Sequence, residues 1–290
     1  MPPPTPAAFT GIHNENEFYS HHYLSEIFTR DIADTTAAWR KDAANGDKPP
    51  HEQLRALAGE YHRKRDKYQR ERDPESRLKL QRAWLHTLLL PLGHGWKPGD
   101  HILDDGNPFP ALAADGSRDG SAQLFVLDAL DTENEGDDPL TLRPHPAQFD
   151  GEAPPPKELL DTTWNDIITR GVFGREFPPR WVLLLTFDRI LLIERGKWTH
   201  NRLLRFDLDE ILGRGEDATL KAAAALLHRD SLLPPDGQSL LDRLDENSHK
   251  HAFAVSEDLK YALREAIEAI GNEAIRYLRE VSKDKVYDLD

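Results

Sequence analysis

Leu124–Leu130 read LFVLDAL, apolar throughout except for Asp128 and without a turn-forming residue. A short apolar run of this kind is expected to be a buried strand. A carboxylate carried into an interior costs several kcal/mol unless it is paired, hydrogen-bonded or bound to a cation. What Asp128 meets therefore bears on both fold and chemistry.

Working outward, HILDD (101–105), a turn at Gly106–Pro108, FPALAA (109–114) and a loop DGSRDGS (115–121) precede the run. Alternation and turn residues mark these as consecutive strands. DTENEGDD (131–138) follows as an exposed acidic loop, and PHPAQFDGEAPPPKE (144–158) is proline-rich and expected to be irregular. A helix is expected over Leu159–Val172. WVLLLTFDRILLIER (181–195) then reads as a hairpin turning at Phe187–Arg189, and LLRFDLDEIL as a strand leading into a short helix.

Helical patterns flank this core. In FYSHHYLSEIFTRDIADTTAAWRK, Tyr19, Tyr23, Leu24, Ile27 and Phe28 share a helix face. A second helical region spans Glu52–Leu90, interrupted at Pro74 and stopped at Gly93. EDATLKAAAALLH is helical, and a last helix is expected from an N-cap at Ser256, with Glu257 and Asp258 in its first turn. Leu259, Leu263, Ile267, Ile270, Ala274 and Leu278 would be its buried stripe. The expected class is α+β: an N-terminal helical region at 1–92, a mixed-sheet core at 93–212 and a C-terminal helical region at 213–290.

Composition narrows the function. The 290 residues contain no apolar run near the length of a membrane span, and the start, MPPPTPAAFTG, lacks the basic and apolar parts of a secretory signal. The lack of cysteine excludes disulfides and thiolate zinc sites. A cytoplasmic protein is expected. The net charge of −14 argues against indiscriminate nucleic-acid binding. Its distribution is uneven, however: Glu60–Arg82 holds nine Lys/Arg against five Asp/Glu, whereas Asp100–Asp161 holds three against fifteen. A local basic patch can still meet phosphate.

Helix, strand with an acid, second strand with an acid, helix, then hairpin resembles the PD-(D/E)xK nuclease core. In such a core, acids on adjacent strands hold Mg²⁺, and a lysine two residues after the second acid shares its face. Metal and lysine activate water and stabilise charge on phosphate. The matching acids are Asp104 or Asp105 and Asp128, so catalysis would fall to Asp105 and Asp128 and metal binding to Asp104, Asp105 and Asp128. The lysine position holds Leu130. The resemblance therefore implies a degenerate site. The competing expectation is that Asp104–Gly106 is simply a turn and Asp128 an acid at a strand end.

GIHNENEFYSHHYL (11–24) and LDENSHKHAFAVSEDLKYALREAIEAIGNEAIRYLRE (244–280) resemble the N-terminal region of large bacterial adenine-specific DNA methyltransferases. These are similar to type IIG restriction–modification enzymes and to phage-defence methylases. RAWLHTLLLPLGH, LDDGNPFPAL, LFVLDAL, DDPL and PRWVLLLTFDRILLIERGKW follow in the same order. The resemblance implies a DNA-associated, nuclease-like module, with methyltransferase and specificity regions in cis or in trans. The chain lacks a glycine-containing S-adenosylmethionine loop, and Pro154–Pro156 lack the Asn/Asp and aromatic neighbours of the adenine-placing motif. S-adenosylmethionine would belong to a longer chain or a partner. Two alternatives accompany this expectation: an active Mg²⁺-dependent endonuclease, and a scaffold without a nucleic-acid role.

YHRKRDKYQRER (61–72) interleaves bases with Tyr61 and Tyr68. If DNA binds, the candidates are Arg63, Lys64, Arg65, Lys67, Arg70 and Arg72. The alternative is a solvated helix face laced with ion pairs. His13, Glu15, Glu17, His21 and His22 lack metal-ligand spacing, as do His249 and His251, so both groups are expected to be polar surface. Lys197, three residues after Glu194, is not expected to form a catalytic pair with it.

Overall fold

The apolar runs around Asp128 form the centre of a six-stranded sheet. A computed structural model describes residues 9–42, 46, 48–118, 121–133, 135–151 and 155–280. The sequence expectations for MPPPTPAA, and part of those for DGSRDGS and for the prolines at 154–156, lie outside the described residues. Contacts divide the chain into a unit ending at Leu244 and a second unit from Asp245.

In the first unit, β1 (Ile12–Glu15) precedes three short helices, α1 (His21–Glu26), α2 (Phe28–Asp31) and α3 (Ala33–Asp42). α4 (Pro50–Ala56), α5 (Ala58–Arg70) and α6 (Pro74–Leu89) follow. Pro74 separates α5 from α6 by starting the latter: the carboxylate of Asp73 accepts the Ser76 N–H, and proline at the first helical position sacrifices no internal hydrogen bond. Gly93, at φ +74°, takes the left-handed conformation that ends this helical stretch.

β2 (Gly99–Ile102) and β3 (Pro108–Ala111) make a separate antiparallel pair. The main sheet continues with β4 (Ala113–Arg118) and β5 (Ser121–Asp128). DGSRDGS is thus largely strand rather than loop. Gly116, at φ +66°, permits the local twist, and a Cβ there would meet Leu233 Cδ1 at 2.9 Å. A crossover through α7 (Lys157–Leu160), α8 (Trp164–Asp166) and a π-helical turn at Ile167–Val172 leads to β6 (Trp181–Leu185). That crossover lets β6 lie parallel to β5, with Asp128 opposite Leu185.

β7 (Arg189–Glu194) forms the expected hairpin with β6, followed by α9 (Arg195–Trp198), β8 (Leu203–Asp207) and α10 (Leu208–Arg214). The strand order is β1-β8-β7-β6-β5-β4, mixed because only β5 and β6 run parallel. α11 (Asp217–Leu227), α12 (Arg229–Leu232) and α13 (Leu240–Glu280) are the last elements among the described residues.

The sheet is buried on both faces. Leu124, Val126, Leu183, Leu192 and Phe206 pack with α5, α6, α10 and α11, while Phe125, Leu127, Val182, Leu191 and Ile193 pack with Trp164, Ile168 and Trp198. Two covered faces explain why the central strands read as continuous apolar runs. The molecule is α+β, with helices flanking a mixed six-stranded sheet.

Further expectations are corrected, among them the single helix over Leu159–Val172, which is α7, α8 and the π-helical turn. β1 was not anticipated; it lies antiparallel to β8, pairing Ile12 with Phe206, so the N-terminal stretch contributes to the sheet. The helix expected over 18–41 is three pieces. The last helix starts at Leu240 instead of Ser256, with Ser239 accepting the Asp242 N–H at 3.1 Å, and its apolar stripe is exposed.

Candidate functional site

Asp128 is fully buried and has a cation beside it. Arg82 on α6 donates from Nε to Asp128 Oδ2 at 2.9 Å. Gln148 Nε2 donates to the Asp128 carbonyl at 2.6 Å and to its Oδ1 at 3.3 Å, and Arg82 Nη2 donates to the Gln148 carbonyl at 2.8 Å. The carboxylate is therefore paired and hydrogen-bonded, the condition for tolerating a buried charge. The charge comes from a helix rather than from a lysine two residues on; Leu130 is buried at the lysine position.

The same helix satisfies the rest of the strand end. Gln81 Nε2 donates to the Ala129 carbonyl at 3.0 Å, and its Oε1 accepts from Tyr68 Oη at 3.1 Å. The wholly buried Arg77 donates to the carbonyls of Asp131, Tyr68 and Glu71, with its guanidinium 4.1 Å from the Tyr68 ring. Tyr68 stacks on Phe187 at 4.3 Å, and burial is the main cause that pushes its phenol up to about 12. Trp84 Nε1 donates to the Phe187 carbonyl, tying α6 to the β6–β7 turn. Backbone leaving a buried strand must find partners, and Gln148, Gln81 and Arg77 supply them to the carbonyls of Asp128, Ala129 and Asp131.

The other two acids form a turn. Asp105 accepts the backbone N–H and side-chain amide of Asn107, both at 2.9 Å, around Gly106. Asp104 accepts the Glu176 N–H at 2.7 Å and lies 3.5 Å from Arg175 Nε. The β4–β5 pairing ends at Ala113–Val126, two residues short of Asp128, and the preceding Pro108–Leu112 carry no carboxylate. Among the described residues no group of three or more His, Asp or Glu side chains is placed to hold a metal ion.

The basic segment occupies α5 and the residue pair after it. Its six cations divide into two sets. Lys64 pairs with Glu60 at 2.7 Å and donates to the Ala83 carbonyl and Thr87 Oγ1, bracing α5 on α6. Arg65 pairs with Asp209 at 2.7 Å, and Asp209 also accepts from Tyr61 Oη. Arg63, Lys67, Arg70 and Arg72 are exposed and make no ion pair among the described residues. The first three, spaced four and three apart, share one helix face.

A cavity of about 220 Å³ lies at the end of β5 and β6. Asp131, Glu135, Asp137 and Asp188 line it with Arg65 and Arg189, so its acidic wall disfavours phosphate. A second cavity, about 330 Å³, is lined by Glu75, Leu78, Lys79, Arg82 and Ala147 beside the buried pair.

The remaining candidates are surface or structural. Glu15 pairs with Arg205, and His249 lies 3.7 Å from Asp245. His249 and His251 sit on α13 rather than an extended segment, so they diverge by about 200°. Lys197 donates to the Phe18 carbonyl at 2.7 Å and lies over its ring. No helix among the described residues is long and apolar enough to cross a membrane.

Sequence reasoning missed Arg82 and Gln148. The signal was present: RLKLQRAWLHTLLL places Arg77, Gln81 and Arg82 inside an apolar helix, where polar groups need buried partners. Comparison with protein-family models, curated proteins and solved structures returned no match.

Proposed function

We propose that this chain is a DNA-docking, nuclease-like module that does not cut DNA, working with the methyltransferase and specificity regions of a restriction–modification or phage-defence system. The carrying observation is the exposed face of Arg63, Lys67 and Arg70, unpaired among the described residues on a chain of net charge −14. Unpaired cations held on a rigid helix are suited to phosphate contact. Arg72, just beyond the helix, would extend the contact, whereas Lys64 and Arg65 support the helix.

The nuclease-like part is supported by order and placement: α6, the β4–β5 hairpin, a helical crossover and parallel β6 follow the expected sequence of such a core. Loss of cleavage follows from chemistry. Asp128 spends its charge on Arg82, Leu130 cannot neutralise phosphate, and Pro108–Ala114 brings no second carboxylate. Mg²⁺-dependent hydrolysis needs oxygen ligands that converge on one ion. S-adenosylmethionine would be bound by the partner regions.

Fluorescence anisotropy of a labelled duplex, titrated at several salt concentrations, tests this function. Salt-sensitive binding that weakens in Arg63→Gln/Lys67→Gln/Arg70→Gln is the expected result. Absence of binding at low salt would favour the scaffold alternative.

A further inference from the structure

Asp245–Glu280 belongs to the second compact unit and is the distal part of α13. Along it, Leu259, Leu263, Ile267, Ile270, Ala274 and Leu278 recur at spacings of four, four, three, four and four. That is an eleven-residue repeat of about 3.67 residues per turn, close enough to the α-helical period for a nearly straight seam. The five large side chains of this stripe are 68, 59, 61, 71 and 37% exposed. Monomeric proteins rarely display so long a continuous apolar surface.

We propose that this stripe is the seam of an antiparallel two-helix dimer formed with a second copy of the chain. Area is the first argument. Each of these side chains has roughly 60 Å² of uncovered apolar surface, so two copies contribute about 600 Å². With an apolar share of roughly 60%, the interface reaches about 1,000 Å², where specific association begins.

Charge selects the occupant and its direction. Eight Asp/Glu against five Lys/Arg in residues 245–280 disfavour a nucleic-acid partner. Glu257, Lys260, Arg264, Glu268 and Arg279 run along one flank of the stripe at helical spacing. Lys260 bonds to Glu257 at 2.6 Å and Arg264 to Glu268 at 2.8 Å, which keeps these heads along the flank. In an antiparallel pair each flank meets its own counterpart. With the two-fold axis beside Ile267, Arg279 comes within two residues of the position opposite Glu257 and Glu268 within two of that opposite Arg264, each in both directions, against a single Glu268–Glu268 approach at the axis. A parallel pair would instead set Glu268 against Glu273, a like-charge contact of the kind that selects against an arrangement. Ala266 on the other flank, with Ala274 in the stripe, permits close approach of the helices.

Sedimentation equilibrium of the 290-residue chain tests the dimer. The expected mass is twice the 33.0 kDa chain, and Ile267→Glu returns it to one chain mass. Arg264→Glu and Glu268→Arg, each alone, should weaken dimerisation about tenfold by opposing like charges. Mixing those two variants should restore the dimer, because each then supplies the complement of the other. A wild-type monomer at micromolar concentration overturns the proposal. So does a dimer in which the mixed variants remain as weak as either alone.

Discussion

Arg82 reaches from the middle of α6 to place Nε 2.9 Å from Oδ2 of Asp128, a carboxylate with no exposure to solvent. Under the proposed nuclease-like reading, this contact occupies the carboxylate that a cleaving core would turn to a metal ion. It gives the strand end a fixed positive partner, and it removes the acid from metal chemistry. Removing one member of such a pair leaves a buried charge uncompensated. Arg82→Ala should destabilise the chain by about 3–5 kcal/mol in urea denaturation. Arg82→Met combined with Asp128→Leu should recover most of that loss, since the buried charge goes with its partner.

The two sets of cations on the basic segment should separate in binding and stability. Arg63→Gln/Lys67→Gln/Arg70→Gln should lower the slope of log affinity against log salt by about 2 to 3, as loss of three phosphate contacts requires. Its denaturation midpoint should stay unchanged. Lys64→Gln and Arg65→Gln should instead act on stability, because Lys64 braces α6 and Arg65 holds Asp209. Parallel anisotropy and urea titrations check both halves.

His94 supplies a pH dependence. It is buried against the Leu227 carbonyl at 2.7 Å, and burial lowers its pKa to about 4. The unfolded chain takes up this proton near pH 6.5, whereas the folded chain resists until about pH 4. The stabilisation is therefore complete above the unfolded value and declines as pH falls through that window, by about 3 kcal/mol in total. Burial lowers His51, His101 and His228 in the same direction. Urea midpoints measured between pH 7 and pH 4 should fall steadily, and Asp115 and Asp242, held low by Arg229 and Arg180, add losses at the acid end.

Restoring the missing lysine should not restore cleavage. Leu130 is 1% exposed, so Leu130→Lys buries an ammonium and should cost several kcal/mol of stability. Pro108–Ala114 still carry no acid, leaving one carboxylate where two are required. Plasmid incubated with this variant and Mg²⁺ should remain uncut, and a lowered thermal midpoint should report the strain.

The strands were legible in the sequence wherever two buried faces forced apolar runs, as at Leu124–Leu130 and Trp181–Glu194. β1 was not, because Ile12–Glu15 alternates only once and gains its strand state from β8. Ser256 offered a good N-cap signal, yet helix from Leu240 continues through it, showing that local capping chemistry yields to an uninterrupted helical pattern. At the site, Asp128 announced itself as a buried acid. Its partners did not, because Arg82 lies 46 residues upstream and Gln148 20 residues downstream, contacts that only folding brings together. The basic run was visible as composition. Which of its cations were already engaged depended on Asp209 and Thr87, far away in sequence.

Gel mobility of a supercoiled plasmid in Mg²⁺ reads binding and strand cleavage in the same lane. The expected result is a retarded plasmid that is still supercoiled after the protein is stripped away, with retardation reduced in Arg63→Gln/Lys67→Gln/Arg70→Gln. Relaxed or linear product that disappears in Asp128→Asn would contradict the inert Asp128–Arg82 pair, and an unretarded plasmid at low salt would contradict DNA docking.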